Sequence, residues 1–190
     1  MTVNYQIHLT LPIWLRDAVD PSRIHPDDDS KIDLAIALSR GNVEHGGGPF
    51  GAAIFDGNGR LLGVGVNQVV PQSCSVAHAE MMAFMSAQQR MRAFRLNAPD
   101  LGLPGPIALA TSAQPCCQCY GASVWAGIDE LLIGARSEDV EALTEFDEGP
   151  LPDDWIGHLN RRGIAVRRDI RREHACAVLR DYRTAGGARY

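Results

Sequence analysis

The sequence lacks any apolar run of about 18 residues, the minimum that a membrane-spanning helix needs. It also lacks a basic start followed by an apolar stretch, so we expect no secretory signal peptide and a cytoplasmic protein. Basic residues are in deficit, since 18 Lys and Arg stand against 23 Asp and Glu, for a net charge of −5. Bulk attraction to nucleic acid or to an anionic membrane is therefore not expected.

Cysteines are few, odd in number and clustered: Cys74, Cys116, Cys117, Cys119 and Cys176. This arrangement is a poor disulfide framework and is more typical of metal binding or catalysis. A length of 190 residues, of which 45% are hydrophobic, suits one ordinary globular domain. We place that domain at residues 27–190, after an irregular, proline-interrupted N-terminal extension at residues 1–26.

Hydrophobic periodicity and turn residues predict alternating elements after an initial β-hairpin. The predicted strands span residues 50–55, 61–70, 107–111, 130–135 and 163–166. The predicted helices span residues 27–41, 78–94, 116–126, 139–143, 152–159 and 171–182, and the first of them could continue for one more turn. This order implies an α/β fold, a three-layer α/β/α sandwich on a mixed five-stranded sheet.

Two short segments carry residue types that bind zinc. Ala77-His78-Ala79-Glu80 is followed, about 35 residues later, by Pro115-Cys116-Cys117-Gln118-Cys119. Each segment falls where a loop is predicted to enter a helix. Zinc prefers nitrogen and sulfur ligands in a tetrahedron, and a catalytic zinc keeps one position open for water. His78, Cys116 and Cys119 would therefore hold one Zn²⁺ and leave that position free.

The spacing within each segment supports the same interpretation. Cys116 and Cys119 are three residues apart, which brings them to one face of a helix whose N-terminus favours thiolates. Residues two apart do not share a helix face, so His78 must sit at the helix start if Glu80 is to reach the same water. Glu80 would then take the proton of that water and return it to the substrate.

Other readings of these cysteines and of Glu80 stay open at this point. A structural zinc site could use Cys74 or Cys117 as a fourth ligand, although Cys117 would point away from Cys116 on a helix. A non-catalytic zinc module would serve as a binding scaffold, but it would not need Glu80. Together, His-x-Glu and Pro-Cys-x-x-Cys match the pattern of zinc deaminases.

From about residue 31 onward the chain resembles the cytidine and deoxycytidylate deaminase superfamily, and within it bacterial guanine deaminases. The residues that carry the resemblance are Gly47-Gly48-Pro49-Phe50-Gly51-Ala52, Asn67, His78-Ala79-Glu80, Pro115-Cys116, Cys119, Gly121-Ala122, Trp125 and Phe146-Asp147-Glu148-Gly149-Pro150. Three positions depart from the usual pattern: Gln114 replaces Glu, Gln118 replaces Met, and Glu145 replaces a small residue.

The resemblance implies a role for each matching position and deamination of a free base, above all guanine to xanthine. Glu80 and Glu148 would be catalytic, with Glu148 on the leaving amino side. The substrate-binding residues would be Asn67, Phe50, Ala79, Trp125 and Tyr190. Tyr190 would act as a lid in a homodimer with exchanged C-terminal segments.

Without the resemblance, four of these residues have ordinary explanations. Asn67 would be a turn residue, Phe50 and Trp125 core aromatics, and Glu148 a solvated loop carboxylate.

Alternative substrates are cytosine or cytidine, an aminotriazine such as ammeline, and tRNA adenosine. A tRNA deaminase could bind its substrate with the arginines of residues 161–183. Acidic residues interrupt that segment, however, and this mixture of charges is more typical of a solvated helix face.

Overall fold

The computed structural model describes residues 7–188. Its centre is a five-stranded sheet in the order β2-β1-β3-β4-β5. The strands are β1 (Gly51–Phe55), β2 (Leu61–Val66), β3 (Ala108–Ala113), β4 (Glu130–Ala135) and β5 (Ala165–Arg167). The first three strands pair antiparallel and the last three parallel. The mixed five-stranded sheet predicted from the sequence is confirmed.

Seven α-helices and one 3₁₀ turn (Pro99–Leu101) connect the strands in the described part of the chain. The helices are α1 (Leu15–Ala18), α2 (Asp28–Glu44), α3 (Ala79–Met91), α4 (Cys117–Ala126), α5 (Ser137–Thr144), α6 (Trp155–Asn160) and α7 (Arg172–Thr184). Asp27 caps α2, because its carboxylate accepts the backbone N–H of Ser30 at 2.7 Å. The caps seen in the sequence are therefore used as predicted.

The two faces of the sheet are buried under separate sets of helices. One core contains residues of α2, α5 and α7 packed on Phe55, Ala110 and Leu132. The other contains residues of α3, α4 and α6 packed on Ile54 and Leu131. Neighbouring strand residues thus point to opposite cores, so the strands are buried on both sides and the three layers follow.

Two predicted elements end earlier than expected, and one short helix was missed. The second strand stops at Val66 instead of residue 70, because the side-chain oxygen of Asn67 accepts the backbone N–H of Val69 and turns the chain. Helix α3 stops at Met91, where Arg92 adopts a left-handed conformation (φ 52°). Helix α1 lies in the extension that was predicted to be irregular.

Small residues on β2 bring α3 close to the sheet, and this places the N-terminus of α3. A Cβ atom at Gly65 would lie 2.0 Å from the backbone oxygen of Ala79, and one at Gly63 would lie 2.6 Å from the backbone nitrogen of Ala87. Only glycine fits at such distances. The start of α3, which carries His78 and Glu80, is therefore held against the end of the hairpin.

An ion pair joins α5 to α7 beneath the sheet. Nε and Nη2 of Arg172 each donate to the carboxylate of Asp139 at 2.7 Å, and the same carboxylate accepts the backbone N–H of Arg136 at the start of α5. The hydrogen bond from Arg172 is the main reason that the pKa of Asp139 lies below its usual value. The charged carboxylate therefore stabilises the folded state.

Asp139→Asn should lower the free energy of unfolding at pH 7 by about 1 kcal/mol, a modest value because the Arg172 side chain is 38% exposed and solvent screens the pair. A lowered folded-state pKa means that this contribution is present above the usual pKa of 3.8 and fades as the pH falls below it. Urea unfolding should thus show the difference from wild type shrinking in acid, whereas Asp153→Asn, on the surface, should show no difference at either pH.

No helix in the part of the chain that the structure describes combines the length and the apolar character that crossing a bilayer would require.

Candidate active site and metal centre

Two helix N-termini meet at one edge of the sheet and bring the zinc-type ligands together. His78 is the N-cap residue of α3, with an extended backbone (φ −69°, ψ 158°), so its side chain is not confined to a helix face. Cys116 is the N-cap of α4, and Cys119 lies in its first turn. The expectation that His78 begins a helix is confirmed, and this position lets its ring face the two sulfurs.

The spacing of the three ligand atoms fits a tetrahedral zinc ion. Nδ1 of His78 lies 3.4 Å from Sγ of Cys116 and 3.6 Å from Sγ of Cys119, and all three atoms lie within 4.8 Å of one another. Zn–N and Zn–S bonds of the usual length, set at tetrahedral angles, place nitrogen and sulfur about 3.6 Å apart. The donor set and its geometry therefore suit one ion with three protein ligands.

Among residues 7–188, the group that could hold a metal consists of His78, Cys116 and Cys119. The described residues add no fourth protein ligand to it. Cys117 is exposed, and Cys74 is half-buried outside the group. The structural four-ligand alternative, which would need Cys74 or Cys117, is not favoured by this geometry. An open coordination position is the arrangement of catalytic zinc sites.

The two thiols are electrostatically unequal. A hydrogen bond from Cys119, followed by one from His78, lowers the pKa of Cys116 to about 4. Cys119 donates that bond, and the bond together with burial raises its pKa. The hydrogen bond to Cys116 is also the main cause of the raised pKa of His78. These hydrogen bonds favour a thiolate at Cys116, the form that binds metals.

Glu80 lies in the first turn of α3 and is only 6% exposed. Its Oε1 accepts the hydroxyl of Thr111 at 3.5 Å, from β3. Burial raises the pKa of Glu80 to about 7, and the Cys116 thiolate adds to the effect. A carboxylate whose pKa lies near neutrality can both accept and return a proton, which is what a general acid–base catalyst needs.

A cavity of about 340 Å³ opens beside this cluster, a volume in the range of small-molecule sites. Its wall includes Glu148, which is 8% exposed although it sits on a loop. Burial, and then the charges of Cys116 and Glu80, raise the pKa of Glu148 to about 8. The backbone oxygen of Glu148 accepts the N–H of Cys117, which joins this loop to the start of α4.

Most of the residues predicted for substrate binding also line the cavity. Phe50, Asn67 and Ala79 lie in its wall together with His78 and Glu80. Asn67 is 2% exposed, and its side-chain oxygen is held by the N–H of Val69. This bond fixes the amide, so its NH₂ group is the part available to an acceptor in the cavity.

One residue predicted for substrate binding does not line the cavity of its own chain. Trp125 is 78% exposed on α4 and does not line the cavity of its own chain, because it lies on the helix face turned away from the sheet. This exposure corrects the expectation of a core aromatic, while the role of Trp125 in walling a pocket stays a prediction. Tyr190 lies outside the described residues.

Sequence reasoning missed Val69 and Ser75 entirely. It named six other wall residues without placing them in the pocket: Gln114, Cys117, Gln118, Phe146, Asp147 and Gly149. Val69 and Ser75 belong to the loop between β2 and α3 and match no motif. Their place between Asn67 and His78 was the only signal, since a short loop joining two site residues must run past the site.

A three-ligand metal cluster with an open position, beside a buried carboxylate at the edge of a mixed α/β sheet, defines a metal-dependent hydrolase. The model of the cytidine and deoxycytidylate deaminase zinc-binding region matches residues 26–135, more than half of the chain. The chain therefore belongs to this deaminase family, whose members are zinc-dependent aminohydrolases.

Solved structures and curated proteins resemble the chain over most of its length. A guanine deaminase from Nitrosomonas europaea is 41% identical, with a TM-score of 0.89 over 97% of this chain and 100% of that one. The structure of NE0047 in complex with 2,6-diaminopurine is 42% identical, with a TM-score of 0.89 over 96% and 95% of the two chains. A tRNA-specific adenosine deaminase from Buchnera aphidicola is 27% identical over 82% of this chain and 93% of its own.

Proposed function

We propose that this protein hydrolyses guanine to xanthine and ammonia, with one zinc ion held by His78, Cys116 and Cys119. The observation that carries the proposal is a second buried carboxylate, Glu148, in the same cavity as Glu80 and the metal cluster. The match to a guanine deaminase over nearly the whole chain supports this choice of base. The acidic net charge and the modest cavity give no support to a tRNA substrate.

Some residues of the cavity would bind the base, and others would transfer protons. Asn67 would donate its amide NH₂ to a ring carbonyl, while Phe50 would lie against the ring and Ala79 complete the wall. When bound, zinc would supply a Lewis acid that acidifies a water molecule in the open position. Glu80 would accept the proton of that water as its oxygen adds to the amino-bearing carbon, and pass it to the adjacent ring nitrogen.

Glu148 would complete the reaction. The remaining hydroxyl proton must reach the amino group so that ammonia can leave and a carbonyl can form. Burial raises the pKa of Glu148 to about 8, which favours the protonated form, so Glu148 would donate its proton to the leaving nitrogen and take up the hydroxyl proton in return.

The deciding experiment combines metal analysis with ammonia release from guanine, cytosine, adenine, cytidine and ammeline. We expect about one zinc per chain and turnover of guanine well above that of the other compounds. Turnover confined to another base would replace guanine as the substrate. Zinc without ammonia release from any compound would favour a non-catalytic module, and salt-sensitive retention of tRNA would revive the tRNA alternative.

Glu148→Gln should lower kcat for guanine by about 100-fold and leave the zinc content unchanged, because the amide cannot donate and recover a proton. Stopped assays for xanthine and elemental analysis of the same preparation measure the two quantities. Glu44→Gln removes an exposed carboxylate near the end of α2 and should keep kcat within about twofold. Wild-type kcat in the Glu148 variant would remove this residue from the chemistry.

The assembly and domain organisation are also proposals. A homodimer would cover the exposed side chains of Trp125 and Val76, together with the half-buried Gln118 and Ala122, which share a face of α4 with Trp125. C-terminal segments exchanged within that dimer would bring Tyr190 to a partner's site. Sedimentation at about 41 kDa would support the dimer, since one chain has a mass of 20.6 kDa, and a 20.6 kDa species would refute it.

The deaminase domain would span residues 27–190, after an extension at residues 1–26.

A further inference from the structure

The N-terminal segment, residues 7–15, is anchored on α2 by contacts that do not involve the active site. The Trp14 ring stacks on His45 with centroids 4.9 Å apart and an interplanar angle of 13°. The same ring rests against Gly41, where a Cβ atom would come within 2.9 Å of it. Leu15 is 6% exposed in the core beneath α2. The segment thus has a defined position on the protein surface.

From this anchored segment, the backbone of Thr10 makes a two-way contact with the loop that follows β2. The N–H of Thr10 donates to Oε1 of Gln72 at 2.9 Å, and Nε2 of Gln72 donates to the carbonyl of Thr10 at 2.6 Å. A side-chain amide that pairs with both groups of one residue mimics a strand partner and has only one possible orientation.

The amide of Gln72 continues into a buried network that reaches Asn67. Its Nε2 also donates to Oε1 of Gln68 at 3.4 Å, and Nε2 of Gln68 donates to Oδ1 of Asn42 and to the carbonyl of Asn67, each at 3.1 Å. Nδ2 of Asn42 donates to the same Asn67 carbonyl at 2.8 Å and to the carbonyl of Gly48 at 2.8 Å. Backbone groups at both ends, in Thr10 and Gly48, determine the orientation of every amide between them.

Asn67 and the loop after it form one wall of the active-site cavity. The carbonyl of Asn67 receives two of the donors above, while its side chain and the residues Val69 and Ser75 line the cavity. Asn42 is 1% exposed and Gln68 is 6% exposed, so the hydrogen bonds between them are buried. Buried amides that are fully paired rigidify their surroundings and are costly to disturb.

We propose that the N-terminal segment, acting through Gln72, positions Asn67 and the pocket loop (residues 68–77) for binding of the base. Gln72 is half-buried and does not line the cavity, so it is a positioning residue that never touches the substrate. The role lies partly outside the family match, since Thr10 and Trp14 precede residue 26. The proposal rests on the proposed function only where it predicts binding of guanine.

Gln72→Met keeps nearly the same volume but removes the amide, so the network loses the bonds to Thr10 and to Gln68. We expect hydrogen–deuterium exchange of the amides at residues 67–77 to accelerate about fivefold to tenfold, the effect of losing roughly one net hydrogen bond. KM for guanine should rise by a similar factor, with kcat within about twofold and zinc content unchanged.

Two further variants separate positioning from general damage. Gln88→Met removes a comparable bond from a half-buried glutamine on α3, from Nε2 to the carbonyl of Phe94, and should alter neither the loop exchange nor KM. Thr10→Pro removes the N–H donor to Gln72 and keeps the carbonyl acceptor, besides fixing the φ angle of residue 10, so it should give a smaller change of the same kind. Combined with Gln72→Met, it should add nothing further, because both act through one contact.

The exchange measurement needs no substrate, so it tests the positioning role even if guanine is not turned over. Unchanged exchange at residues 67–77 in Gln72→Met would overturn the proposal. It would also be overturned if KM stayed at the wild-type value despite faster exchange, if Gln88→Met had an equal effect, or if the changes in the double variant multiplied. Failure of the wild-type protein to release ammonia from any compound would instead count against the proposed function.

Discussion

Replacing Glu80 by glutamine should lower kcat by about 10³-fold or more while the zinc content stays at the wild-type level. The amide has almost the same shape and can still meet the hydroxyl of Thr111, which lies 3.5 Å from Oε1. It cannot accept a proton from water, however, and the structure offers no other carboxylate in the first turn of α3. Single-turnover assays with guanine, together with elemental analysis, measure the two effects separately.

Glu44→Gln, near the C-terminus of α2 and exposed, serves as the matched control and should keep kcat within about twofold. A Glu80→Gln protein that turns over guanine at the wild-type rate would show that this carboxylate does not move the protons. If zinc were lost as well, the role of Glu80 would lie in organising the metal cluster. Retained zinc with lost turnover is the outcome that the geometry predicts.

Cys119→Ala should abolish both zinc binding and turnover. Cys119 is fully buried, and its sulfur lies 3.6 Å from Nδ1 of His78, so its loss leaves only two protein ligands. Two ligands do not hold zinc against dilution or a competing chelator, and we expect less than about 0.1 zinc per chain. Without the metal, turnover should fall below the rate of Glu80→Gln.

Thermal unfolding gives an independent measure of the same loss. A chelator should lower the Tm of the wild-type protein, because the folded state binds the metal more tightly than the unfolded state does, but should not change the Tm of Cys119→Ala. Cys117→Ala and Cys74→Ala should keep the wild-type zinc content, since neither thiol belongs to the three-ligand cluster. Zinc loss in either control would reinstate a site with four protein ligands.

The fold was predictable from the sequence to the level of its layers. The hairpin, the order of helices and strands and the five-stranded mixed sheet follow from apolar periodicity and from caps such as Asp27, which are local properties of the chain. Element ends were less predictable, because they depend on single contacts. Arg92 ends α3 by a left-handed conformation, and Asn67 ends β2 through a bond to Val69.

The site was predictable unevenly. The metal cluster could be predicted from the residue types and their spacing, because His78 and Cys116 each cap a helix and the short motif sets where their side chains point. The surroundings could not be read in this way. Trp125 has the same local signal as a core aromatic yet lies exposed, because the side of α4 that faces the sheet is set by how the whole helix packs.

The sequence alone determined the chemistry, because ligand type, spacing and helix entry are properties of neighbouring residues. Tertiary structure alone decided which distant groups meet. Glu148 lies on a loop, yet tertiary packing buries its carboxylate beside the metal cluster. Packing also connects Thr10, Gln72 and Asn67 through one hydrogen-bond network. These contacts form only when segments that are distant in the sequence pack together, so the spacing of neighbouring residues does not predict them.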